Sequence, residues 1–260
     1  MRKISLLVCS LLLLSLAACG GNSSNGLPDL PAGGDGGGGG NAAPPTTASI
    51  MGKISFEGEV PKPAPIVTTA DPNCKKPLFS EETKVKDGGL ENVIIYVSGG
   101  ELIAGKTFAP PSTPVEIDQQ DCHYIPHALV IQVGQDLAVK NGDMTLHNIH
   151  TLGEANPTWN VAQAAQNMIS KHKFDKEEVL LPIKCDVHGW MRSFIAVLNH
   201  PFGTVSTEGG KYELKLPAGK FEITAIHEKY GKQTMMVEVK DNDHTPIDFK
   251  FKASDAKSAD

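Results

Sequence analysis

The chain has 260 residues, with 24 Lys and Arg against 30 Asp and Glu and a formal net charge of -6. A mildly acidic chain without a long basic run is a poor partner for nucleic acid, because phosphate neutralisation dominates that kind of affinity. The length admits one or two domains with sizeable cores, and the odd count of five cysteines raises the question of which one lacks a disulfide partner.

Arg2 and Lys3 precede a mostly apolar run, residues 4–16, that ends in Ala17, Ala18 and Cys19. Such a run is a secretory leader, too short to span a bilayer, so residues 1–18 are predicted to be removed. Leu16-Ala17-Ala18-Cys19 resembles a bacterial lipobox. That resemblance implies that Cys19 is lipidated and becomes the mature N-terminus, anchoring the chain to a membrane without spanning it. The alternative is an ordinary cleavage site in which Cys19 falls by chance. Gly20 stands where an aspartate usually marks inner-membrane retention in such lipoproteins, which favours the outer membrane. Residues 19–48 carry Gly, Asn, Ser and Pro, with an unbroken glycine run over 36–40, and read as a flexible tether. No later stretch is apolar enough to cross a bilayer, so an exported head facing the periplasm or the exterior is expected.

The head reads as all-β. Ile50, Gly52, Ile54 and Phe56 alternate with polar positions, Val93 to Val97 is a short apolar run, and residues 129–133 and 137–139 flank a turn at Gly134-Gln135. Residues 157–173 fit either a helical turn or a loop. Tyr212, Leu214 and Leu216 alternate before the Pro217-Ala218-Gly219 turn, as do Phe221, Ile223 and Ala225 after it, and Val237, Val239, Ile247, Phe249 and Phe251 complete a set of half-buried antiparallel strands.

Two stretches carry chemistry: residues 146–150, with His147, Asn148 and His150, and residues 185–191, with Cys185, Asp186, His188, Gly189, Trp190 and Met191. A thiolate, two imidazoles and a thioether are the soft and borderline donors of a blue-copper site. The second stretch supplies three of them in C-x2-H-x2-M spacing. The remaining imidazole has to come from a distant strand, and His147 and His150 are an odd number of residues apart, so on one strand they point to opposite faces. His147 is the choice, with Asn148 beside it to bond across to the ligand loop. Zinc fits less well, since methionine is a poor zinc ligand and no hard fourth donor lies beside the loop.

These residues resemble the cupredoxins, and the short loop is similar to the amicyanin type. Upstream, Tyr124, Pro126, Gly134, Val139 and Asn141 continue the likeness, which covers about one small β-sandwich over residues 111–200. The resemblance implies a Greek-key sandwich holding one type 1 copper through His147, Cys185, His188 and Met191, with electrons passing through the exposed edge of His188 and with Trp190 as an apolar docking patch. Two departures stand out. Asp186 replaces the usual Ser or Thr after the cysteine, and Gly189 replaces proline, which bears on the tuning of the site.

Cys9 leaves with the leader, Cys19 goes to lipid and Cys185 to metal. Cys74 and Cys122 remain and, in an oxidising compartment, form the natural disulfide, stabilising the fold by roughly 3 to 4.7 kcal/mol. The alternative places Cys122 with His123 and His127 in another metal site, leaving Cys74 unpaired. His172, His200, His227 and His244 are read as solvated or structural. Residues 207–221, with Gly209-Gly210 and Pro217-Ala218-Gly219, resemble the carboxypeptidase regulatory-like sandwich. Its opening strands are similar to residues 52–58 and 92–97, so residues 49–110 and 201–252 are expected to form a second small sandwich around the copper domain, with 253–260 a disordered tail.

The expected function is a membrane-anchored blue-copper protein passing single electrons between extracytoplasmic partners such as a cytochrome or a dehydrogenase. The alternative is a copper-binding or glycan-binding lipoprotein without electron turnover. No nucleophile elbow, paired carboxylates or second copper motif points to an enzyme.

Overall fold

The computed structural model describes residues 41–257. The leader, the lipidation candidate Cys19 and most of the tether lie outside the described residues. The fold is all-β, and no helix among the described residues is long and apolar enough to cross a membrane.

Two sets of strands pair only among themselves. In the first, the long strand Ala48–Glu57 runs antiparallel to Lys211–Leu216, with Ile50 opposite Leu214, and parallel to Phe249–Lys252, with Ile54 opposite Phe249. A facing sheet contains Gly203–Val205, Ile94–Gly99, Gly219–His227 and Gly231–Val239. Alternation in Lys211–Leu216 puts Tyr212, Leu214 and Leu216 inward, where they meet Ile50, Ile54, Val97, Phe221, Ile223 and Phe251 in one apolar core. Gly210 lies at φ +72 with its backbone so close that a Cβ would sit 2.3 Å from the Ile54 carbonyl oxygen. Only glycine lets this turn lie on the sheet.

The second set has Ile169–His172, Leu137–Asn141, Val115–Gln120 and His123–Ile125 in one sheet. The other sheet holds Asn160–Gln163, His147–Thr151, Glu178–Lys184, Arg192–Leu198 and Ala128–Gln132. Between them Ile117, Tyr124, Leu137, Val139, Ile149, Ile183 and Ile195 form a separate core. A smaller apolar seam, with Ile94, Ala128, Ala196 and Leu198, joins the two halves.

Several details differ from the sequence reading. The ordered chain starts before position 48: the Asn41 amide donates to the Thr107 carbonyl, and the Asn41 carbonyl accepts from Ala109. Residues 253–257 are ordered too, with Ala253 against the first core and the Lys257 amide bonded to the Lys229 carbonyl. The strands on either side of Gly134-Gln135 fall in different sheets, so that turn is a crossover. Residues 157–173 hold two edge strands, one in each sheet of the second sandwich. At the end of the first of them Gln163 turns inward, its buried amide donating to the Val139 carbonyl and pairing with Gln119, so a polar residue fills a core position that apolar periodicity cannot reveal.

Candidate metal centre

His147 opens the strand His147–Thr151, and Cys185 follows directly after Glu178–Lys184. The loop 185–191 turns back into the strand Arg192–Leu198, with Lys184 opposite Arg192. Within that loop the Met191 amide donates to the His188 carbonyl at 2.9 Å, and the Cys185 amide donates to the Met191 carbonyl at 3.3 Å. The C-x2-H-x2-M stretch is thus a tight connection whose two ends are fixed by neighbouring strands. Met191 is fully buried in the same core as Cys185.

The structure brings His147, Cys185 and His188 together, their ligand atoms within 4.8 Å of one another and all three residues buried. His150 points the other way, to Asp186 at 2.9 Å, as the two-residue period of a strand requires. The Nδ1 atoms of His147 and His188 face each other at 2.9 Å, and the His188 Nδ1 lies 4.0 Å from the Cys185 sulfur.

Each imidazole is held from behind by a carboxylate. The Nε2 of His147 lies 2.9 Å from Asp143 Oδ2, and the Nε2 of His188 lies 3.0 Å from Asp71 Oδ2. A carboxylate only accepts, so each Nε2 carries the hydrogen and each Nδ1 is left with its lone pair pointing inward. Two lone pairs that converge beside a thiol are stabilised by a shared cation. Burial pushes the His147 pKa down, against the opposing pull of Asp143, so the ring is kept in its neutral, ligating form. These donors fit copper, with soft sulfur beside two imidazoles.

The supports are built from the turn before His147. The Asn141 side-chain oxygen accepts from the Asp143 amide at 3.0 Å, and its Nδ2 donates to the carbonyls of Thr145 and Gln163. Asp143 in turn accepts from the backbone amides of Asp121 and Cys122. Asp71 accepts from the Thr145 hydroxyl and the Asn73 amide, which with His188 hold its carboxyl down at about 2.

Asn148 and Asp186 meet across the site. The Asn148 side-chain oxygen accepts from the Asp186 amide at 2.7 Å and from the Cys185 thiol at 3.3 Å, while its Nδ2 donates to Asp186 Oδ2 at 3.0 Å. Asp186 also takes contacts from His150, Lys184 and Asn160, and their bonds, led by that of His150, hold its carboxyl well below the usual range. The departure from Ser or Thr therefore keeps the bond to the asparagine and adds a surface charge network. Tyr124 ties the two ligand strands, its buried hydroxyl lying 2.6 Å from the Asn148 carbonyl and 3.0 Å from that of Lys184. Tyr124→Phe is expected to destabilise the metal-free chain by about 1 to 3 kcal/mol in urea unfolding, because one or both buried carbonyls lose their donor.

The expectation of an exposed His188 edge is overturned. His188 is 3 % exposed, closed in by Asp71 and by the Cys74 sulfur 3.7 Å from its Nε2. Cys74 and Cys122 form a disulfide, which excludes the alternative grouping of Cys122 with His123 and His127 and clamps the 71–74 segment over the ring. Trp190 lies beside His188 with ring centroids 5.1 Å apart, and its Nε1 donates to the Cys122 carbonyl. Trp190 is half-buried and lines a cleft of about 930 Å³ with Phe79, His123, His127 and Arg192. His200 and His227 are buried, not solvated, whereas His172 stacks on Trp159 and His244 meets the Ser49 hydroxyl.

Asp71 and Asp143 are the functional candidates that sequence reading missed. Asp143 had a faint signal in its place on an Asn-Gly-Asp turn four residues before His147. Asp71 had none, being 117 residues from His188.

No protein-family model matches the chain, and no curated protein matches it. Among solved structures, the chain is similar to a mutant of amicyanin in its Cu(I) form, at 16 % identity and TM-score 0.29 over 32 % of this chain and 81 % of that one. It is similar to a purple cupredoxin from Nitrosopumilus maritimus at 22 % identity and TM-score 0.28, over 32 % of this chain and 98 % of that one. A copper-containing nitrite reductase from Thermus scotoductus matches at 20 % identity and TM-score 0.31, over 39 % of this chain and 25 % of that one.

Proposed function

We propose that this chain is a type 1 copper protein of the cell envelope that transfers single electrons and is not an enzyme. The observation that carries the reading is the convergence of His147 Nδ1, His188 Nδ1 and the Cys185 sulfur, with both far nitrogens held by carboxylates. Copper held there by His147, Cys185, His188 and Met191 would supply a one-electron couple between Cu(I) and Cu(II). The chain's own residues do the rest. Asp143 and Asp71 fix the two rings, Asn148 holds the thiol, and Met191 and Tyr124, buried in the same core as Cys185, help to exclude water. With the His188 edge covered, the half-buried Trp190 is the aromatic group beside a ligand that also reaches a cleft. A cytochrome or dehydrogenase docking there in a weak, transient encounter would meet the site through that ring.

The leader and Cys19 support lipid anchoring and export, with the missing aspartate favouring the outer membrane. The strand pairing of 48–99 with 203–252 supports reading the outer sandwich as carboxypeptidase regulatory-like.

Copper-loaded, oxidised protein is expected to show an intense visible sulfur-to-copper band that is lost in Cys185→Ser and kept in His150→Ala. A colourless copper complex would reject the reading. The covering of His188 favours a second reading, a copper-binding lipoprotein that holds its ion without turnover. Voltammetry in the presence of candidate cytochromes separates the two, since only a carrier exchanges electrons with them.

A further inference from the structure

We propose that Cys74, Cys122 and the Nε2 face of His188, with Asp71 beside them, form a second metal site for Zn(II) when the disulfide is reduced. The ligand atoms of Cys74, Cys122 and His188 all lie within 4.8 Å of one another, and the three residues are buried. Asp71 Oδ2 adds a hard donor 3.0 Å from the His188 Nε2, on the side where the Cys74 sulfur stands at 3.7 Å. Two thiolates and one imidazole nitrogen are three of the donors that a closed zinc site takes, and the Asp71 carboxylate on the same nitrogen is the candidate for the fourth. His188 is placed to serve both this site and the proposed copper centre, with Nδ1 turned to His147 and Nε2 turned to Cys74 and Asp71.

The chemistry balances with a dithiol as reductant. Its two thiols deliver two electrons and two protons to the Cys74 and Cys122 sulfurs, the bond between them breaks, and the reductant leaves as its own disulfide. When Zn(II) binds, the two thiol protons pass to solvent, and the single ring proton of His188 moves from Nε2 to Nδ1, where the facing Nδ1 of His147 can accept its hydrogen bond. The disulfide and the metal are therefore mutually exclusive occupants of one place. The same two sulfurs either cover His188 as a covalent staple or do so as ligands.

The test uses the full-length chain with Cys185→Ser, which removes the thiolate of the proposed copper centre and makes the result independent of that reading. This protein is prepared once with the disulfide intact and once with its thiols reduced, and both are titrated with Zn(II) and with Co(II) as a spectroscopic probe. The reduced form is expected to bind one more equivalent than the disulfide form and to give the intense visible bands of tetrahedral Co(II) with thiolate charge transfer. Adding Cys74→Ser and Cys122→Ser is expected to remove that equivalent and the thiolate band. Asp71→Ala, which leaves both sulfurs in place, is expected to weaken the extra equivalent roughly 10- to 100-fold, with far-UV circular dichroism reporting the fold of every variant. An extra equivalent that never appears, or one that persists without Cys74 and Cys122, overturns the proposal. Failure of the blue band in the unmodified chain together with success here would reject only the copper-centre reading.

Discussion

Replacing both Cys74 and Cys122 by serine is expected to lower the unfolding free energy of the metal-free chain by about 4 kcal/mol. The two residues are 48 positions apart, and cross-linking a loop of that length removes this much entropy from the unfolded chain. Urea unfolding followed by fluorescence measures it; a loss below about 1 kcal/mol would show that the staple does little for the fold. A second effect is expected at the metal. The Cys122 amide donates to Asp143, and the Cys74 amide bonds to the Asp71 carbonyl, so the staple anchors both carboxylates that hold the two imidazoles. Without it, copper affinity is expected to fall roughly 10- to 100-fold, the usual scale for losing groups that orient a ligand. Competition against a chelator reads this directly.

Acidification is expected to destabilise the fold between pH 6.5 and about 4. Burial pushes the His200 pKa down to about 4 and that of His227 down to about 3, from an unfolded value of 6.5. Each ring accepts a backbone amide at Nδ1, from Phe202 and Lys229 respectively, and its buried Nε2 has no partner among the described residues. Across this window the unfolded chain binds protons that the folded chain refuses. The stability from these neutral rings is therefore fully present above pH 6.5 and declines as pH falls, by up to about 1.4 kcal/mol per pH unit for each ring. The His227 contribution continues to fall to about pH 3. Urea midpoints measured from pH 7 to pH 4 check this, and His200→Phe is expected to flatten the slope in part, since burial also lowers the pKa values of His147 and His172. An unchanged slope in both His200→Phe and His227→Phe would assign acid sensitivity to other groups.

Much of the fold was legible because it rests on period two. Tyr212, Leu214 and Leu216 could only be one face of a half-buried strand, and in the first core they share that face with Ile50 and Phe251 of the same sheet, opposite the sheet that carries Val97, Phe221 and Ile223. The region 157–173 was not legible. Its inward position is Gln163, held by hydrogen bonds to Val139 and Gln119, so the residue that marks the buried face is polar and breaks the pattern. By composition alone, positions 41–47 and 253–257 resemble tether and tail. They are ordered by backbone hydrogen bonds and by the packing of Ala253, which composition does not report.

The sequence by itself determined the all-β character, the soft donor set and the separation of His147 from His150. Those follow from residue type and strand period, which are local properties. It also separated the cysteines: Cys185 apart as a free thiol, and Cys74 with Cys122 as a pair. Only the tertiary structure decided that this pair lies against His188, that Asp71 and Asp143 stand behind the two imidazoles, and that the expected open edge is closed. These are contacts between segments as much as 117 residues apart, and no spacing along the chain encodes them. They exist because the loop that carries Asp71 and Cys74 is tied by the disulfide to the strand turn beside the candidate metal centre.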